Sequence, residues 1–142
     1  MTVIPAKHTF TIWQGATFYE ALTLYETMDQ TQPRNLTGFT ATMIIRDKPN
    51  SDNIYLTLAS PGALAPDGTT IVTSNQGCSI TLQEGNVTGL IKLRIDAKNT
   101  ELGPKSANKI DWKSAVYDLT LRETSTGKTD ALLYGGIKVN GV

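Results

Sequence analysis

Between residues 91 and 95 apolar and basic side chains alternate without a break: Ile91, Leu93 and Ile95 on one side, Lys92 and Arg94 on the other. Successive side chains of an extended backbone point to opposite faces, so this pattern buries one face only as a β-strand, here over 89–95. The same period of two recurs along the chain. Phe10 and Ile12 oppose Thr9, Thr11 and Trp13 in 8–13, and Phe39, Ala41, Met43 and Ile45 share one face of 39–46. Tyr117, Leu119 and Leu121 oppose Asp118, Thr120 and Arg122 in 115–123. Four more segments read as strands: 17–25 with Phe18, Leu22 and Leu24 inward, 53–58 with Ile54, Leu56 and Leu58, 78–83 with Ile80 and Leu82, and 130–139 with Leu133, Ile137 and Val139. Glu20 is the exception in its strand, since it falls on the apolar side. Residues 70–73 leave room for another short strand.

Turn residues separate these runs. Gln14-Gly15-Ala16, Pro33, Pro49-Asn50, Pro61-Gly62, Gly68, Glu84-Gly85-Asn86 and Ser125-Thr126-Gly127-Lys128 all punctuate the pattern. Gly135-Gly136 within the last strand points to a bulge or kink. About eight short strands in one sheet would leave an apolar face in water, so two sheets pack as an all-β sandwich. The 142 residues suit one domain of this kind. Residues 8–142 are read as that domain, and 1–7, which include Pro5, as an extended arm.

Thirteen basic and thirteen acidic residues leave no net charge. A neutral chain has no electrostatic pull toward nucleic acid or an anionic membrane, so neither is expected as a partner. No stretch approaches the ~18 apolar residues of a membrane span. The first ten residues hold no apolar run of signal-peptide length, and one cysteine cannot form an internal disulfide, so production in a cytoplasm is expected.

A search for chemistry returns little. The one histidine, His8, is far in sequence from Cys78, and nucleophilic catalysis needs a base beside its nucleophile. Cys78 reads as a small, half-buried strand residue, and no spacing resembles a metal-ligand set. Ser125-Thr126-Gly127-Lys128-Thr129 is similar to the end of a phosphate-binding loop, but the glycine required at 122 is Arg and a strand follows. Asp47 with Asp52, and Asp96 with Glu101, read as solvated turn carboxylates. Trp13 and Trp112 are aromatic enough to plug a partner's pocket or stack on a sugar. No enzyme, cofactor or metal is expected.

Three segments carry a resemblance. They are Phe10-Thr11-Ile12-Trp13-Gln14-Gly15-Ala16-Thr17-Phe18, Asn35-Leu36-Thr37-Gly38-Phe39-Thr40-Ala41 running on to Arg46, and Val116-Tyr117-Asp118-Leu119-Thr120-Leu121 with its closing strand. In order and spacing, across roughly 8–140, they resemble a family of small β-sandwich proteins encoded among tailed-bacteriophage structural genes. The resemblance implies an immunoglobulin-like antiparallel sandwich located in the virion, in the tail, baseplate or neck, with other virion structural proteins as partners in a symmetric, multi-copy assembly. It implies no enzyme activity. The chain departs from the family pattern at 103–114, where a longer polar loop holds Ile110 and Trp112. A capsid decoration protein and a carbohydrate-binding module of an adhesion device are the competing classes. Docking is expected through the arm at Pro5, the loop 26–35, and the loop 103–114 at Ile110 and Trp112. The sheet faces are expected to be plain Thr, Lys and Arg.

Overall fold

A computed structural model describes residues 6–13, 15–23, 35–65, 67–75, 77–82, 89–96 and 114–140. Among these every regular element is a strand. In chain order they are β1 (Ala6–Lys7), β2 (Phe10–Trp13), β3 (Phe18–Thr23), β4 (Phe39–Arg46), β5 (Ile54–Ala59), β6 (Cys78–Leu82), β7 (Leu90–Ile95), β8 (Ser114–Glu123) and β9 (Thr129–Asn140). The larger sheet runs β5-β4-β8-β9, with β1 and β2 lying in succession along the far edge of β9. The smaller sheet runs β3-β7-β6. The chain crosses between sheets after β2, β3, β5 and β7, which is the strand arrangement of an immunoglobulin-like sandwich.

Pairing is antiparallel throughout except along β9, where β1 and β2 run parallel. Both keep one register, Ala6 opposite Leu133 and Phe10 opposite Ile137, so they form a single line interrupted at His8 and Thr9. Ala6 and Lys7, expected within the arm 1–7, pair instead with the chain's own last strand, and residues 1–5 lie outside the described residues.

The alternation places the core as expected. Phe10, Ile12, Met43, Ile45, Leu58, Leu119 and Leu121 from the larger sheet face Ile80, Ile91, Leu93 and Ile95 from the smaller, all at most 1% exposed. Burying each such side chain stabilises by roughly 1.5–3 kcal/mol before conformational entropy is charged against it. Phe10 joins the sheets: its ring meets Phe18 edge-on at 5.6 Å and Tyr117 at 4.9 Å. Leu36 enters from the turn before β4 and is wholly buried. That turn is built by Asn35, whose Oδ1 accepts the Thr37 N–H at 2.9 Å, and by Gly38 at φ 82°.

Two strands differ from the reading of their sequence, each because of a register shift. Between β4 and β5 the register slips at Ile45/Arg46, so Ile54 turns outward and is 47% exposed while Tyr55 packs against the core. Between β8 and β9 it slips at Leu119/Thr120, which buries Leu132 and leaves Leu133 partly buried beside it. A bulge shifts every later side chain to the other face, and strict alternation does not announce it. The shift falls before Gly135-Gly136, not on the glycines. Residues 70–73 form no strand; a single bridge joins Leu64 to Ile71. The hairpin reading of 125–128 holds: Glu123 donates to the Lys128 carbonyl, Gly127 sits at φ 75°, and β9 follows.

Candidate functional site

On the outer face of the larger sheet the pairing sets Ile44, Asp118 and Tyr134 in one row across β4, β8 and β9, and Arg46, Val116 and Gly136 in the next. The two glycines at 135 and 136 carry no side chain, so the surface sinks there. The depression holds about 590 Å³ and is open to solvent. Tyr134 stands on one side, 47% exposed, and Arg46 with the Pro49-Asn50 turn on the other.

Gly135 is required for a further reason. It lies at φ 155°, and a Cβ on it would overlap the His8 carbonyl oxygen. That same carbonyl accepts the Tyr117 hydroxyl at 2.8 Å. Tyr117 stands opposite Gly135 on β8, so its side chain crosses the glycine to reach the first strand. Burial pushes its phenol up to about 12. Its hydroxyl fastens the segment between β1 and β2 to β8.

The two charged groups of the depression are already paired with each other. Arg46 Nη1 lies 2.7 Å from Asp118 Oδ1, and Arg46 Nε donates to the Ser51 carbonyl at 3.0 Å. This ties β4, β8 and the 47–53 turn together at one end of the sheet. Asn50 holds φ 60° in that turn, a conformation Asn tolerates better than most residues. Hydrogen bonds, first from Ser51 and then from Asn53, keep the Asp47 carboxyl below the usual carboxylate range. An aromatic side, a satisfied ion pair and a backbone floor suit recognition of a side chain or small polar group.

The larger sheet's outer face is more apolar than its sequence indicated. Trp13 is 56% exposed, and Ile54 and Tyr134 are also open, with Ile44 and Val116 half-buried between them. The smaller sheet's outer face carries the expected Thr23, Thr81, Lys92 and Arg94, but also Tyr19, 54% exposed opposite Arg94.

The residues singled out for chemistry stay apart. His8 lies on the surface, its ring edge-on to Phe10 at 4.7 Å. Cys78 is buried in β6 opposite Ile95. Asp96 pairs with Arg94 at 2.8 Å. Asp67 accepts the Thr69 and Thr70 N–H groups and the Thr70 hydroxyl, and these bonds, Thr70 foremost, lower its pKa to about 2. Among the described residues no three His, Cys, Asp or Glu side chains gather as a metal site would need. Pro5, Ile110, Trp112 and Glu101 lie outside the described residues, as do most of 26–35 and nearly all of 103–114. Sequence reasoning missed the depression. Its one legible signal was the Tyr134-Gly135-Gly136 run, an exposed aromatic beside a gap in a strand.

No protein-family model matches the chain, and no curated protein matches it.

Proposed function

We propose that this chain is a structural component of a tailed-bacteriophage virion, a connector that binds other virion proteins in the tail, baseplate or neck. The three motif segments support the reading through their order and their roles. Gly15 and Gly38 hold the positive φ their turns need, and Tyr117 anchors the first strand, so the shared residues keep a scaffold. The observation that carries a binding role is the outer face of the larger sheet. Trp13, Ile54 and Tyr134 are open there, Tyr134 on the wall of the depression of about 590 Å³, and exposed apolar surface of that kind marks contact sites. Pro5, Ile110 and Trp112 remain the contact candidates from the sequence.

The test is a density map of the particle, together with separation of heads from tails and detection of the chain in each fraction. Copies in tails, seated with the larger sheet, the arm or the 103–114 loop against a neighbour, support the connector. Copies on head surfaces replace it with a capsid decoration protein. Particles without the chain overturn both. A glycan array on purified protein tests the carbohydrate-binding class, for which Tyr134 beside the Arg46–Asp118 pair is the relevant geometry.

A further inference from the structure

Among the described residues β3 is an edge of the smaller sheet and pairs only with β7. Half of an edge strand's N–H and C=O groups point away from the sheet and template another strand. On β3 the inward positions are Phe18, Glu20 and Leu22, with Glu20 opposite the fully buried Leu93. Glu20 is half-buried and has no ion pair or hydrogen bond among the described residues. Its carboxylate sits between two apolar neighbours on a core-facing edge.

That position is selective. A strand added to β3 with its core on the same side sets its inward residues opposite Phe18, Glu20 and Leu22. In a second copy, β3 itself offers Phe18, Glu20 or Leu22 opposite the carboxylate, which means apolar surface or a like charge. The other edges offer nothing better. β2 turns Phe10 and Ile12 inward, and β6 turns Cys78, Ile80 and Leu82. The edge of β5 is covered: Asn75 exchanges bonds with Thr57 at 2.6 and 2.9 Å, and Ser74 with Ala59 at 2.8 and 3.0 Å. No described edge strand carries a basic residue on its inward face.

The geometry points to β3 as a docking edge for an extended segment of a different protein, one with Lys or Arg opposite Glu20 and apolar residues two positions to either side. Main-chain bonds supply the adhesion, and the Glu20 carboxylate selects the partner and bars self-pairing. This rests on the sheet edge alone and stands apart from the virion reading.

The probe is a short peptide in which threonine alternates with valine, lysine and valine, alongside a twin with glutamate in place of lysine. Binding to the full chain is followed by titration and by amide hydrogen exchange of residues 18–23. The lysine peptide is expected to slow exchange there and to bind about tenfold more tightly than its twin, the swing from an attractive to a repulsive cross-strand pair. Glu20→Lys is expected to reverse the preference, and Glu20→Leu to self-associate at concentrations where the wild type does not. Equal binding of the two peptides, protection of 18–23 by neither, or a wild type already dimeric through 18–23 overturns the proposal. Because the peptide comparison uses the wild-type chain, it decides the matter even where a variant fails to fold.

Discussion

The phenol of Tyr117 lies in the aromatic cluster with Phe10, and its hydroxyl donates to a carbonyl more than a hundred residues earlier in the chain. Its pKa stands near 12 in the folded state against 10.0 ordinarily. The folded state therefore holds the proton more tightly, and the stability this confers is complete below pH 10. It is lost as pH rises from there through about 12. Tyr117→Phe is expected to cost about 1 kcal/mol at neutral pH, the hydrogen bond, and to flatten that alkaline decline. Urea unfolding at pH values from about 9 to 12 reads both effects, and an unchanged alkaline slope in the variant would mean that another group governs it. The glycine beside it gives a sharper contrast. Gly135→Ala drives a methyl group into the His8 carbonyl and is expected to cost at least about 2 kcal/mol and to loosen residues 6–13. At Gly136 the nearest atom to an added Cβ is the Ala115 oxygen at 3.8 Å, so Gly136→Ala is expected to be neutral within about 0.5 kcal/mol or stabilising. Denaturation of the two variants, with hydrogen exchange of the first strand, separates a steric lock from a general dislike of side chains in that strand.

The strands were legible where side chains alternate without interruption. In β7 and β8 the inward set Ile91, Leu93, Ile95, Tyr117, Leu119 and Leu121 is buried as read, because β7 keeps one register with both neighbours and β8 keeps one with β4, the extra residue of the β8–β9 slip falling in β9. β5 and β9 were half legible, since a one-residue slip in pairing leaves no mark in the hydrophobic pattern of either strand alone. Ile54 continues the alternation of Leu56 and Leu58 perfectly in sequence and still faces water. The candidate site was harder to read for a related reason. Arg46, Asp118 and Tyr134 sit on three strands far apart in the chain, and only cross-strand pairing makes them neighbours. Stability measurements test this division. Leu93→Ala and Leu119→Ala are each expected to cost roughly 2–4 kcal/mol, and Ile54→Ala less than about 0.5 kcal/mol. A large loss at Ile54, or a small one at Leu93, would show that the register shift in β5 or the pairing of β7 is wrong.

At the scale of the whole molecule three of the described sheet edges are treated differently. The β5 edge is covered by Ser74 and Asn75, the β3 edge carries an inward carboxylate, and the β9 edge is occupied by the chain's own first strand. That last fact changes how the arm must be tested. Removing residues 1–7 would strip β1 from β9 and confuse folding with docking, whereas removing residues 1–5 leaves the pairing of Ala6 with Leu133 in place. Under the proposed virion role two surfaces compete as the contact: the arm with the 26–35 and 103–114 loops, and the outer face of the larger sheet. The exposed, apolar character of the sheet face predicts that Tyr134→Ala combined with Ile54→Ala lowers incorporation into particles at least about tenfold while leaving the unfolding midpoint near that of the wild type, since interface anchors are typically aromatic and contribute more than about 1 kcal/mol each. Deletion of 1–5 combined with Trp112→Ala tests the other surface in the same assay. Quantifying each variant in purified particles against co-expressed wild type assigns the contact. A sheet-face variant that incorporates at wild-type levels removes the larger sheet as the docking surface and leaves the arm and loops to carry it.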